Sequence, residues 1–224
     1  MKKSAQKPRR TRRDPRRAAT QAAIIEKGEA LFGIHGIDGV SLRQLGAAVG
    51  SGNSSVVAYH FGSKEALIEA IFNHRLPTID ERRGELLTEA EQLGRGDDLA
   101  LLLRALWLPL FEQVDADGQH SYAKFIHALM RSDAVQQWLA VHNNYPATRQ
   151  LLERLVAALP PPIVPLFPHR ISISTITITG ALDYIDRCQS EQSLTGPAPE
   201  AIFADVLTIS AAALLAPPQP KASL

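Results

Sequence analysis

A chain of 224 residues, 45% of them hydrophobic, can bury a substantial core, which excludes a disordered tail protein. Its single cysteine, Cys188, excludes an internal disulfide and a cysteine cluster for zinc, and no apolar run approaches the roughly 18 residues of a membrane span. The net charge of +1 hides an asymmetry: residues 1–75 carry 13 Lys/Arg against 6 Asp/Glu, and residues 76–224 carry 11 against 17, so one end of the chain is suited to phosphates and the other is not.

The basic start lacks the apolar stretch of a signal peptide, and a soluble, cytoplasmic protein with no membrane attachment is expected. Met1 to Arg17 holds nine Lys/Arg and one acid, with Pro8 and Pro15 and no apolar periodicity. It predicts a basic arm over 1–16 that is disordered in isolation. Such an arm either follows DNA phosphates and enters a minor groove or remains a solvated tail. A first helix is predicted over 17–35, with Ala22, Ile25, Leu31 and Phe32 among its apolar residues and Gly36 and Gly39 ending it.

Ser41 to Lys64 then reads as two short helices around a Gly-rich turn. Ser41 and Gln44 have the spacing of a capping box, and Leu42, Leu45 and Val49 fall on one helical face. Gly50-Ser51-Gly52 tolerates turn dihedrals, Asn53 is a capping residue for a helix over 53–60, and Phe61-Gly62-Ser63 interrupts before a helix that Ser63 caps. This is a helix-turn-helix, whose second helix leads into the major groove with its N-terminal residues. Ser54 and Ser55 would then face base edges, or alternatively only complete the cap at Asn53.

The pattern Ile24-Ile25, Leu31-Phe32, Gly36, Ser41, Leu45, Gly50 and Tyr59-His60-Phe61-Gly62-Ser63-Lys64-Glu65-Ala66-Leu67 resembles the DNA-binding domain of TetR-type repressors, over roughly residues 20–72. One extra residue between Leu45 and Phe61 is similar to a subset reading G-x-x-N-x-S…YHFG. Ala58 stands where many members carry a phosphate-contacting Tyr. The resemblance implies an all-α fold: a three-helix DNA-binding domain over 17–62, a helical ligand-binding and dimerisation domain over 63–216, and a tail over 217–224. It implies DNA contacts from Arg43, Asn53, Ser54, Ser55, Tyr59, His60 and Lys64, with Arg43 reaching a base edge and Lys64 a phosphate. It also implies a homodimer through the last two helices, about 168–189 and 198–215.

Beyond the matched segment, periodicity predicts helices over 63–74, ended by Pro77, and over Thr78–Leu93, Asp97–Val114 with a kink at Pro109, Tyr122–Arg131, Asp133–His142 and Asn144–Leu159, the last stopped by Pro160-Pro161-Pro162. Residues 170–188 alternate Ile with hydroxyls as a strand does, but no second strand is available to pair with it, so a helix is expected, its hydroxyls bonding back to carbonyls one turn earlier. A last helix is predicted over Pro199–Leu215.

No catalytic, phosphate-loop or dinucleotide signature is present, and no cofactor, metal or enzymatic role is expected. His120, His127 and His142 fall on adjacent predicted helices, but scattered histidines are far more often surface or core residues than ligands or bases. Trp107, Phe111, Tyr122, Phe125, Met130 and Trp138 concentrate aromatic and soft groups in neighbouring helices. Those before Trp138 are the candidate ligand-binding set; the same residues also suit a plain core. The favoured expectation is a repressor released from a palindromic, double-stranded operator by a small apolar effector. An architectural DNA-binding protein without effector and an α-helical enzyme are the alternatives.

Overall fold

The computed structural model describes residues 15–50, 55–135, 144–190 and 196–218. Among these the fold is all helical: α1 Pro15–His35, α2 Leu42–Ala48, α3 Val56–Phe61, α4 Lys64–Gln92, α5 Leu99–Phe111, α6 Ser121–Leu129, α7 Pro146–Ala157, α8 Phe167–Ser190 and α9 Pro199–Leu215, with a short 3-10 turn Val164–Leu166 before α8. The expected helix over 133–142 lies largely outside the described residues, as do residues 1–14 of the arm.

Local chemistry sets the boundaries around the head. The Ser41–Gln44 capping box forms in full: the Gln44 side chain accepts from the Ser41 N–H at 2.8 Å, and the Gln44 N–H donates to the Ser41 hydroxyl at 3.3 Å. Gly36, Gly50 and Gly62 each turn the chain with φ between 72° and 79°, a region that side chains with a Cβ avoid. Ser63 accepts from the Ala66 N–H at 3.1 Å and starts α4, as its position predicts.

The expected break at Pro77 does not occur: α4 runs without interruption through it. Proline removes one backbone donor and leaves the carbonyl of residue 73 without its helical partner. Both Asn73 and Pro77 are exposed, so water can satisfy that carbonyl, while Phe72, Leu76 and Ile79 on the opposite side stay buried. The two predicted helices are therefore one spine. α5 likewise continues through the buried Pro109 to Phe111, starting where the Asp98 carboxylate accepts from the N–H groups of Ala100 and Leu101.

The helix over 167–190 settles the strand-like segment. The hydroxyls of Ser172, Thr175, Thr177 and Thr179 each donate to the carbonyl four residues earlier, at 2.8 to 2.9 Å. That leaves the polar groups self-satisfied and lets Ile178, Leu182 and Ile185 pack inward.

One apolar core links head and body. α1 buries Ile24 and Phe32, α2 Leu45 and α3 Val57; α4 adds Leu67, Ile68, Ile71 and Phe72. α1 packs both on α4 and along α6, α4 on α5 and α7, α6 on α8, and α8 on α9. The α1–α6 crossing is close: a Cβ built on Gly33 would lie 2.9 Å from the Lys124 Cβ and 3.2 Å from the Phe125 backbone nitrogen. Only glycine permits that approach.

Candidate functional site

In the head, Val57 is fully buried and anchors α3, while Ser55, Ala58 and Tyr59 lie outward on one face at i, i+3 and i+4. Tyr59 is 74% exposed, an unusual position for a large aromatic side chain, and its ring meets that of His60 edge-on at 5.1 Å. His60 is half-buried, its Nδ1 enclosed without a partner among the described residues. Arg43 is exposed in the first turn of α2. Asn53 and Ser54 lie outside the described residues. Lys64 is placed differently from a free phosphate hook: its amine donates to the Ile37 carbonyl at 2.9 Å and ties the start of α4 to the turn before α2.

The candidate ligand-binding residues are divided by the fold. Tyr122 and Phe125 stack at 6.0 Å, and Phe125 also meets Phe32 and Phe72 at 6.2 and 5.7 Å. Phe111 instead stacks on Phe203 of α9 at 4.6 Å and on His120 at 5.5 Å. Trp107 is buried in α5, and Met130, just past α6, is half-buried against the core. Three cavities bounded by described residues surround α1 instead; the largest, about 490 Å³, lies between α1, the end of α2 and the loop before α6. None of these three is lined by the five candidates.

Three buried polar groupings escape a sequence reading. The Glu29 carboxylate, 1% exposed, accepts from Arg75 Nε and Nη2 at 2.7 and 2.8 Å and from the Ser121 hydroxyl at 2.5 Å, joining α1, α4 and α6. Burial pulls the Arg75 guanidinium down, but the hydrogen bonds and charge of Glu29 outweigh it and hold the group above its ordinary value. Asp186, fully buried in α8, accepts from His120 Nδ1 at 2.5 Å, from the His120 N–H at 2.9 Å and from Lys124 Nζ at 2.8 Å. Burial pushes its carboxyl up, and these donors together hold it below the usual carboxylate value. In the third grouping, Arg83 Nη1 donates to Thr148, whose hydroxyl donates to Asp80. The available signal was a charge set inside an apolar stripe: Glu29 between Ile25 and Phe32, Arg83 between Ile79 and Leu87.

A capped helix, a glycine turn and a short helix with a solvent-facing outer side, at the basic end of the chain, define a helix-turn-helix DNA-binding protein. Residues 24–71 match the family described as "Bacterial regulatory proteins, tetR family". Those residues thus form an N-terminal DNA-binding domain of the kind found in TetR-type transcriptional regulators. No curated protein matches the chain. It is similar at 22% identity and a TM-score of 0.40 to "multidrug binding protein EbrR complexed with imidazole", over 97% of this chain and all of that one. It is also similar, at 18% identity and a TM-score of 0.28, to a chain from Mesorhizobium loti MAFF303099 assigned to the TetR-family transcriptional regulators, over 91% of this chain and 98% of that one. Neither likeness carries the assignment, which rests on the matched segment. Among the described residues no helix is long and apolar enough to cross a membrane, and no group of His, Cys, Asp and Glu is placed to hold a metal ion.

Proposed function

We propose that the protein is a homodimeric repressor acting in the cytoplasm, which leaves a palindromic operator when its C-terminal body binds a small, largely apolar molecule. The observation that carries this is an outward apolar stripe on the last two helices. Ile173, Ile176 and Tyr184 on α8 and Ile209 and Leu215 on α9 are each at least 40% exposed, and they account for half of the exposed large hydrophobic residues among those described. Such a stripe is what a second copy would cover. Two heads held by that contact match a palindrome when the reading helices stand about 34–36 Å apart, one turn of DNA. Arg43, Ser55 and Tyr59, with Asn53 and Ser54 preceding them in the sequence, make the base and backbone contacts, supported by His60 and Lys64.

Footprinting on the DNA flanking the protein's own gene, combined with sedimentation of the free protein, tests this reading. A protected inverted repeat bound by a dimer is expected; a monomer protecting no repeat would end it. The packed state of Tyr122, Phe125 and Phe111 favours a second reading, an architectural DNA-binding protein without effector. The two part on linkage: an effector must lose affinity in the presence of operator by the same factor that operator loses in its presence.

A further inference from the structure

The cavity of about 490 Å³ lies in the seam between head and body, a size within the range of small-molecule sites, roughly 300–1,000 Å³. Ala23, Glu26, Lys27 and Ala30 border it from α1 at i, i+3, i+4 and i+7, one side of a helix. Ala48 and Val49 close it at the end of α2, Arg75 reaches it from α4, and Val114, Asp115 and Asp117 border it from the loop over 112–120. At its buried end the Glu29 carboxylate is held by Arg75 and by the Ser121 hydroxyl of α6.

Four carboxylates line this space against two cations. Arg75 and Glu29 neutralise each other in a bidentate pair at 2.7 and 2.8 Å. That leaves Glu26, Asp115 and Asp117 against Lys27, and none of these four is in an ion pair among the described residues. Asp115 is fixed in place: one of its oxygens accepts from the N–H groups of Asp117 and Gln119 at 3.0 and 2.9 Å, and the other meets no donor among the described residues. A recess whose surplus charge is of one sign and whose walls are partly apolar focuses a negative potential. Those walls also leave apolar surface to water. Val114 is 47% exposed where it borders the recess, with Ala23 and Ala48 exposed on the sides formed by α1 and α2. Among the described residues no group of three or more His, Cys, Asp or Glu is placed to hold a metal ion, so these carboxylates stand too far apart to close on a bare ion. A cation with an organic frame can meet one of them and cover the apolar wall as well.

We infer that the seam cavity is a binding site for a small organic cation, an ammonium or amidinium on a short apolar body. Glu26 and the Asp115–Asp117 loop hold the charge, and Ala23, Val49 and Val114 cover the frame. A molecule seated there touches α2 of the reading head and the loop leading into α6 at once. The site stands apart from the body-bound effector of the proposed function and does not depend on it. An anion would add to the surplus charge of the lining, and a neutral molecule would leave that surplus uncompensated.

The test is calorimetric and thermal-shift titration of the full chain, at one ionic strength, with phenethylamine and benzamidine. Each is compared with a neutral counterpart, phenethyl alcohol and benzamide, and with an anionic one, phenylpropionate and benzoate. At least one of the cations is expected to bind at least about tenfold more tightly than its neutral counterpart, with the anion weaker still. Glu26→Gln combined with Asp117→Asn changes two exposed positions; Tm should hold while the cation falls to the affinity of the neutral molecule. Ala23→Phe, also at an exposed position, should fill the recess and abolish cation binding. Neutral or anionic molecules binding as well as the cations would overturn the inference. A cation preference that survives the charge substitutions, or binding that survives Ala23→Phe, would put the ligand elsewhere and overturn the site. No binding by either cation would overturn it too, and the repressor and effector readings would stand untouched, since neither uses this recess.

Discussion

Lys64, expected from the resemblance to reach a phosphate, has its amine donating to the Ile37 carbonyl in the structure. Lys64→Met keeps the aliphatic stem and removes the donor, so it should cost about 1 kcal/mol in thermal unfolding besides weakening all DNA binding equally. Arg43→Ala should leave stability alone, since Arg43 is exposed, and should lose on the order of 1–3 kcal/mol of discrimination between operator and mutated operator in competition binding. Asp186 gives a pH signature. Its folded carboxyl lies below the ordinary 3.8, so its stabilisation is present above that pH and fades as pH falls through the folded value. Asp186→Asn should therefore destabilise by about 3–5 kcal/mol near neutrality, in denaturant melts that converge with wild type below pH 3.8. The head was legible because its caps are local: Ser41 and Gln44 are three residues apart. Glu29 and Arg75, 46 residues apart, meet only through the packing of α1 on α4, and no periodicity announces such a partner.

At the scale of elements, Pro77 was misread because a stop signal in a sequence carries no information about which side of a helix it will occupy. With both Asn73 and Pro77 exposed to water, the interruption is tolerated, and the residue remains a local liability. Pro77→Ala should raise stability by about 1–3 kcal/mol in chemical denaturation, with no change in fold. The Ile-rich α8 is the converse: its β propensity is real, but the lack of a pairing strand pointed to a helix, and a helix forms over Phe167–Ser190. Glycines in helices divide the same way, by neighbour. Gly84→Ala would place its Cβ 3.6 Å from the Ala147 Cβ, an ordinary contact, and should gain about 0.5–1 kcal/mol. Gly33→Ala meets backbone of α6 and should lose about 1–3 kcal/mol; equal melting temperatures for these two variants would show that the α1–α6 crossing can relax.

For the whole molecule, the exposed stripe of α8 and α9 and the basic head stand at different places in one continuous core, so assembly and DNA binding can be separated by mutation. Ile173→Glu with Ile176→Glu puts two charges on exposed positions and should leave the fold intact while shifting sedimentation to the monomer. Operator affinity should then fall by at least about a hundredfold, because the second half-site no longer binds as part of one body. Wild-type affinity from a monomeric variant would show that the reading head works alone.

The close crossing at Gly33 also bears on how such proteins can be recombined. A head excised at its last turn leaves Ile24 and Phe32 facing water where α4 and α6 had been, so residues 17–62 are not a portable cassette. A chimera that gives this body a new operator preference must keep α1 as it is and exchange only the outer residues of α2 and α3. Sequence specificity can then drift among relatives while the seam to the body stays fixed.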